Sequence, residues 1–275
     1  MEYRSSVLLV FCTLFIACGR SDDDLGEVTI NFNHTIDGTE LVREDVLYTN
    51  AAGNVYSLSR LEYIISDIAL ETAGGKRTHI SPFHYRNAFS ESTRNTTDRV
   101  AGGEYTRLLF TFGINGTINQ TGSLPNLDHF NNMAWPAPMG GGYHYMRMEG
   151  LFQDDEGEAA FLTHTGPSGG EDYSFDVSLP LSLYIAGESW EVEVIMNLNE
   201  WYDSPAIYDF NNRGGIMSNA EAQLILQTNG ATVFSVAQTN RQNLNILDHG
   251  VAKIHLRVAD HRAENHNRNW DNWNR

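Results

Sequence analysis

Val28-Thr29-Ile30-Asn31-Phe32-Asn33-His34 alternates apolar and polar side chains, the period of a strand with one buried face. Val28, Ile30 and Phe32 share that face, and His34 falls on the same parity at the far end. The same pattern recurs in Thr106–Phe112, Tyr143–Gly150, Phe161–Thr165, Ser174–Pro180, Trp190–Met196 and Ala252–Val258. Between the strands stand turn-forming clusters, among them Asp37-Gly38, Gly74-Gly75, Gly140-Gly141-Gly142 and Gly169-Gly170. Many short strands joined by such turns predict an all-β fold, a β-sandwich of antiparallel strands with long loops and one or two short helices. Asn197–Tyr202 and Asn219–Leu226 are the helical candidates, with Asn219 as N-cap of the second. Residues 115–142 make a long Gly/Pro/Asn-rich insertion, a length that usually signals function or disorder.

The first residues read as an address. Arg4 precedes the apolar run Val7–Ala17, which is too short to span a bilayer and reads as a signal peptide over 1–17. Phe15-Ile16-Ala17-Cys18 resembles a lipobox, which makes Cys18 the lipidation site. Several acyl chains, each gaining roughly 0.8 kcal/mol per buried methylene, anchor durably. The plainer reading is an ordinary secretory signal with an incidental cysteine. Residues 18–26 follow as lipidated cysteine and acidic tether. Gly19-Arg20-Ser21-Asp22-Asp23-Asp24 resembles the surface-export signal of Bacteroidetes lipoproteins and reads equally as a solvated spacer. The expected location is the outer membrane, lipid-anchored, surface-exposed or periplasmic. Residues 27–260 then form the β-sandwich domain, and 261–275, with His261, His266, Trp270 and Trp273 among Asn and Arg, read as a poorly ordered tail.

Composition removes several classes. Cys12 and Cys18 are the two cysteines; one leaves with the signal and the other takes lipid, so a metal site in the domain has no thiolate to use. A net charge of -17 argues against nucleic acid and anionic lipid as partners. A phosphate-binding Gly-rich loop with a following Lys is absent, as is a Gly-x-Ser-x-Gly elbow, and no carboxylate pair stands out as an acid/base couple. The run Asp154-Asp155-Glu156-Gly157-Glu158 could hold a hard cation but reads better as a solvated hairpin turn. A binding protein, not an enzyme, is expected.

Imidazole, thioether and indole remain. His34 ends the first strand, His144 follows the long insertion, and His164 ends the strand Phe161–Thr165. Met133-Ala134-Trp135 lies within the insertion. A single strand histidine is more often a hydrogen-bonded core or surface residue, but several at strand ends beside one loop can converge on one rim. Neutral imidazoles with thioether in reserve suit copper where thiolate is missing.

The chain resembles the MbnP-like family of copper-binding β-proteins. The landmarks are Phe32-Asn33-His34 with Asp37-Gly38, Tyr48–Gly53, Leu61–Asp67, Phe112-Gly113, Met133-Ala134-Trp135, Gly142–Gly150 and His164-Thr165-Gly166. Asn197–Trp201, Ile216-Met217 and Asn229-Gly230 extend the likeness. The resemblance implies a copper site built from histidines, with His34, His144 and His164 as candidate ligands and Met133 in support. It also implies a tryptophan oxidised to kynurenine, here Trp135, by a partner dihaem cytochrome related to bacterial peroxidases. A TonB-dependent receptor is a further candidate partner for an outer-membrane lipoprotein. Relatives carry a second Trp two residues on, where this chain has Ala137 between Pro136 and Pro138. Trp135 is equally readable as a buried structural indole. The expected role is copper uptake, delivery or buffering. The alternative is a surface glycan-binding or structural lipoprotein without metal, whose aromatic platform would be Trp135, Trp201, Tyr143 and Tyr202.

Overall fold

The computed structural model describes residues 25–242 except 45, 155 and 213–215. The signal segment, Cys18, the acidic tether up to Asp24, the strand expected at Ala252–Val258 and the tail from 261 lie outside the described residues.

Among the described residues twelve strands build two sheets: β1 Leu25–Ile36, β2 Thr39–Glu40, β3 Tyr48–Thr49, β4 Val55–Glu71, β5 Arg77–Asn87, β6 Asn95–Ala101, β7 Gly103–Phe112, β8 Met146–Asp154, β9 Gly157–Thr165, β10 Phe175–Ile185, β11 Ser189–Asn197 and β12 Phe234–Gln242. One sheet runs β12-β11-β1-β2 with β6 also on β1; the other runs β10-β7-β4-β8-β9 with β3 and β5 on β4. The all-β sandwich read from the sequence is what forms. One pairing departs from the antiparallel rule, since β1 lies parallel to β11, with Ile30 opposite Val192 and His34 opposite Met196. The short helices are α1 Asp128–Asn131 and α2 Ala220–Asn229. Asn219 caps α2 as expected, its side-chain oxygen accepting from the Ala222 amide. The candidate helix at 197–202 forms a 3-10 turn, Leu198–Tyr202.

The parity argument holds in three dimensions. Val28, Ile30, Phe32 and His34 all bury the same face of β1, against Phe110 from the other sheet among others. The carboxylate run at 154–158 is the β8–β9 hairpin, with Asp154 opposite Gly157. Among the described residues no helix is long and apolar enough to cross a membrane.

The long strand β4 organises the second sheet. Its first half pairs with β8 and its second half with β7, both antiparallel. The change of partner falls at Ile64, whose amide donates to the Tyr145 carbonyl while its own carbonyl accepts from the Gly113 amide, each at 2.9 Å. Amide and carbonyl of one strand residue point to the same side, so β7 ends and β8 begins along one edge of β4. The chain between them has no room within the sheet. Gly113 permits the junction: its φ is +85°, and a Cβ there would lie 2.5 Å from the Tyr145 ring. We expect Gly113→Ala to destabilise the fold by at least about 2 kcal/mol, from left-handed strain and overpacking together. A lowered urea midpoint with an unchanged slope would register it.

Candidate metal centre

The insertion expelled at Ile64 closes on itself beyond the sheet. Ala134 and Tyr143 form a bridge, the Trp135 amide donates to the Gly142 carbonyl at 2.9 Å, and the His144 amide to the Met133 carbonyl at 2.7 Å. Buried Asn119 locks the closure, accepting from the Tyr143 amide at 2.8 Å and donating to its carbonyl at 3.2 Å. Within this collar, Trp135 is 2% exposed and His144 6%. The indole lies against the backbone of Gly166, where an added Cβ would come within 2.6 Å of the ring. Its N–H donates to the Met139 carbonyl at 3.3 Å.

His164 stands on β9 opposite Arg147 of β8. Phe161, Thr163 and Thr165 turn inward while Leu162 and His164 turn outward, so the imidazole meets the collar on the outer face. Gln223 of α2, fully buried, clamps this end of β9: its side-chain amide donates to the His164 carbonyl at 2.8 Å and accepts from the Gly166 amide at 3.2 Å. The His144 and His164 rings meet edge to face with centroids 5.2 Å apart, and Trp135 meets His144 at 4.7 Å.

Hydrogen bonding assigns the tautomers. The His144 Nδ1 faces the Met133 carbonyl at 3.1 Å; a carbonyl only accepts, so Nδ1 carries the proton and Nε2 keeps its lone pair. The His164 Nε2 faces a Glu149 carboxylate oxygen at 2.9 Å, which leaves Nδ1 as the free lone pair. Glu149 itself accepts from the Arg60 Nη1 at both carboxylate oxygens, at 2.8 and 2.9 Å, and from Arg147 at 3.3 Å. Burial opposes ionisation of Glu149, but hydrogen bonds from Arg60 and His164 outweigh it and hold its pKa below the usual range. Burial lowers the His164 pKa against the opposing pull of Glu149. Burial pushes His144 down to about 4. Both rings are therefore neutral near pH 7, the form that ligates metal. A carboxylate behind a ligating imidazole also fixes ring orientation and raises basicity. With metal–nitrogen bonds of about 2 Å, two imidazoles at this separation can share one ion, so the donor set fits a metal that accepts neutral nitrogen.

His34 is placed elsewhere. Its Nε2 pairs with the Tyr63 hydroxyl at 3.0 Å, and it lines a groove with Glu193 of β11 and Arg86 of β5. Among the described residues no three His, Cys, Asp or Glu side chains cluster to hold a metal, so His34 does not join His144 and His164. Met133 contributes through its carbonyl, with its side chain fully buried. Trp135, Trp201, Tyr143 and Tyr202 are all buried and present no exposed platform for stacking on a sugar. Glu149 and Gln223 went unnoticed in the sequence. Glu149 carried a weak signal, since it shares the outward parity of Arg147 in an alternating strand; Gln223 carried none, being one polar residue of an ordinary helix.

The fold and this site together define a β-sandwich protein with a shielded imidazole pair beside an indole. The MbnP family model matches residues 25–219, and the chain belongs to the MbnP family. Its membership fits a copper-related role. Among solved structures, MbnP from Methylosinus trichosporium is similar in fold, with a TM-score of 0.53 and 16% identity over 71% of this chain and 83% of that one. No curated protein matches the sequence.

Two outcomes are expected. Gly166→Ala should displace the indole, seen as a change in near-ultraviolet circular dichroism and in tryptophan fluorescence. Stability should also depend on pH through the buried histidines. His144 and His84 are lowered by burial to about 4 and His34 to about 3, from 6.5. The folded state holds fewer protons there than the unfolded one, so stability is full above pH 6.5 and falls as the pH drops towards 4. The slope is up to about 1.4 kcal/mol per pH unit for each histidine. Urea midpoints taken from pH 8 to 4 should be flat and then decline within that window.

Proposed function

We propose that this chain binds copper through His144 Nε2 and His164 Nδ1, beside Trp135, and acts as a binding protein rather than an enzyme. The observation that carries the reading is the imidazole pair. Two neutral rings meet edge to face with centroids 5.2 Å apart. Each has one nitrogen engaged by a protein acceptor, which in a neutral ring puts the lone pair on the other. Affinity of a nitrogen site rises along the divalent first-row metals to a maximum at copper, and family membership supports the same ion. The protein's part is to hold two lone pairs in fixed directions, exclude bulk water with the 115–142 collar, and keep both rings unprotonated. In this reading Cys18 supplies a lipid anchor at the outer membrane, and the bound ion is cargo for uptake, delivery or buffering. Partners on that path would be a dihaem cytochrome acting on Trp135 and a TonB-dependent receptor.

Free copper at a hundredfold excess over its dissociation constant should stabilise the purified domain by about 2.7 kcal/mol, read as a rise in melting temperature. His144→Ala and His164→Ala should lose that rise, while His34→Ala keeps it. A wild-type protein with no shift in either Cu(I) or Cu(II) would sink the reading. Intact-mass measurement on protein from its native envelope should find the acyl mass at Cys18 and report the oxidation state of Trp135.

A further inference from the structure

The sequence contains seven methionines. Beyond Met1, four of them (Met133, Met146, Met148 and Met196) are 1% exposed or less. Met139 and Met217 alone among the rest reach the surface, both half-buried. Both line one groove of about 420 Å³ that also holds His164. They arrive from distant parts of the chain, on the 3-10 turns Ala137–Met139 and Ile216–Ser218. Each turn is tied down separately. The Met139 carbonyl accepts from the Trp135 indole at 3.3 Å. The Met217 carbonyl accepts from the Ser168 hydroxyl at 2.8 Å, and the Ile216 carbonyl from Gln223 at 3.1 Å. Gln223 is the same residue that clamps the His164 backbone, so the second turn and the imidazole share one support. The other walls are mostly apolar, with Phe161, Leu162, Phe210 and Ile216 beside Thr163, Tyr208 and Ser218.

Thioethers are soft, uncharged, flexible ligands that select Cu(I) over harder ions. An imidazole pair alone makes no such distinction. We propose that Met139, Met217 and His164 form an entry position that retains Cu(I) beside the His144–His164 pair, the two sulfurs completing its ligand set. This rests on the copper reading of that pair. Met139 of the collar, Met217 and His164 line the groove together, while His144 is buried behind it and is not part of its lining. Apolar walls strip water from the ion, which favours sulfur and nitrogen over oxygen ligands. Hydrophobic filling alone would be served equally by leucine, a volume-conserving exchange for methionine.

That equivalence provides the test. Cu(I) affinity is measured on wild type and on Met139→Leu/Met217→Leu by competition with a chromophoric Cu(I) chelator, and Cu(II) affinity is measured in parallel. X-ray absorption on Cu(I)-loaded wild type reports sulfur scatterers without relying on any variant. We expect Cu(I) affinity to fall at least tenfold in the double variant, Cu(II) affinity to stay within twofold, and a sulfur shell to be present in wild type. Unchanged Cu(I) affinity in the variant, or Cu(I)-loaded wild type without a sulfur scatterer, overturns the entry position while leaving the imidazole pair standing. Failure of wild type to bind copper in either oxidation state overturns the copper reading itself.

Discussion

The backbone of Ile64 holds two strands to one edge of β4: its carbonyl takes the Gly113 amide and its amide gives to the Tyr145 carbonyl. Everything distinctive about the molecule follows from that exchange. A continuous sheet edge has one set of donors and acceptors, so when β7 yields to β8 the connecting chain must leave the sheet. It leaves on the outer side, beside β8 and β9, and satisfies its own polar groups through the Ala134–Tyr143 bridge and Asn119. Residues 115–142 are thus an ordered collar. The collar is what shields Trp135 and His144 on a sheet face that would otherwise be wet.

Electrostatics then decides what the shielded face can do. A lone buried imidazole is costly to protonate, and two in ring contact more so. Glu149 works in the opposite direction at His164, yet its own charge is already taken up by Arg60 and Arg147. The carboxylate therefore orients the His164 ring without charging it. The result is a pair of neutral, directed lone pairs with different degrees of access: His144 lies under the collar, while His164, at 13% side-chain exposure, borders the groove.

His34 illustrates how parity and proximity differ. The alternation of Val28–His34 correctly turned its imidazole inward. Inward on β1, however, means towards Tyr63 in the space between the sheets, whereas His144 and His164 lie on the outer side of the second sheet. Ligand types can be read from a sequence; which side of which sheet each occupies depends on pairings between residues far apart in the chain. The same limit hid Gln223, whose role exists only because α2 lands on the end of β9.

The sequence by itself determined the all-β class, the strand faces, the hairpin at 154–158, the Asn219 cap and a domain without thiolate ligands. These are local properties: period-two alternation, turn chemistry, capping and residue inventory act within a few neighbours along the chain. The tertiary structure decided the parallel β1–β11 pairing, the handover from β7 to β8 on β4, and the pairing of His144 with His164 and Trp135 rather than with His34. Those rest on hydrogen bonds and ring contacts between segments separated by tens of residues. Many alternative pairings satisfy the same local pattern, and the joint packing of both sheets selects among them.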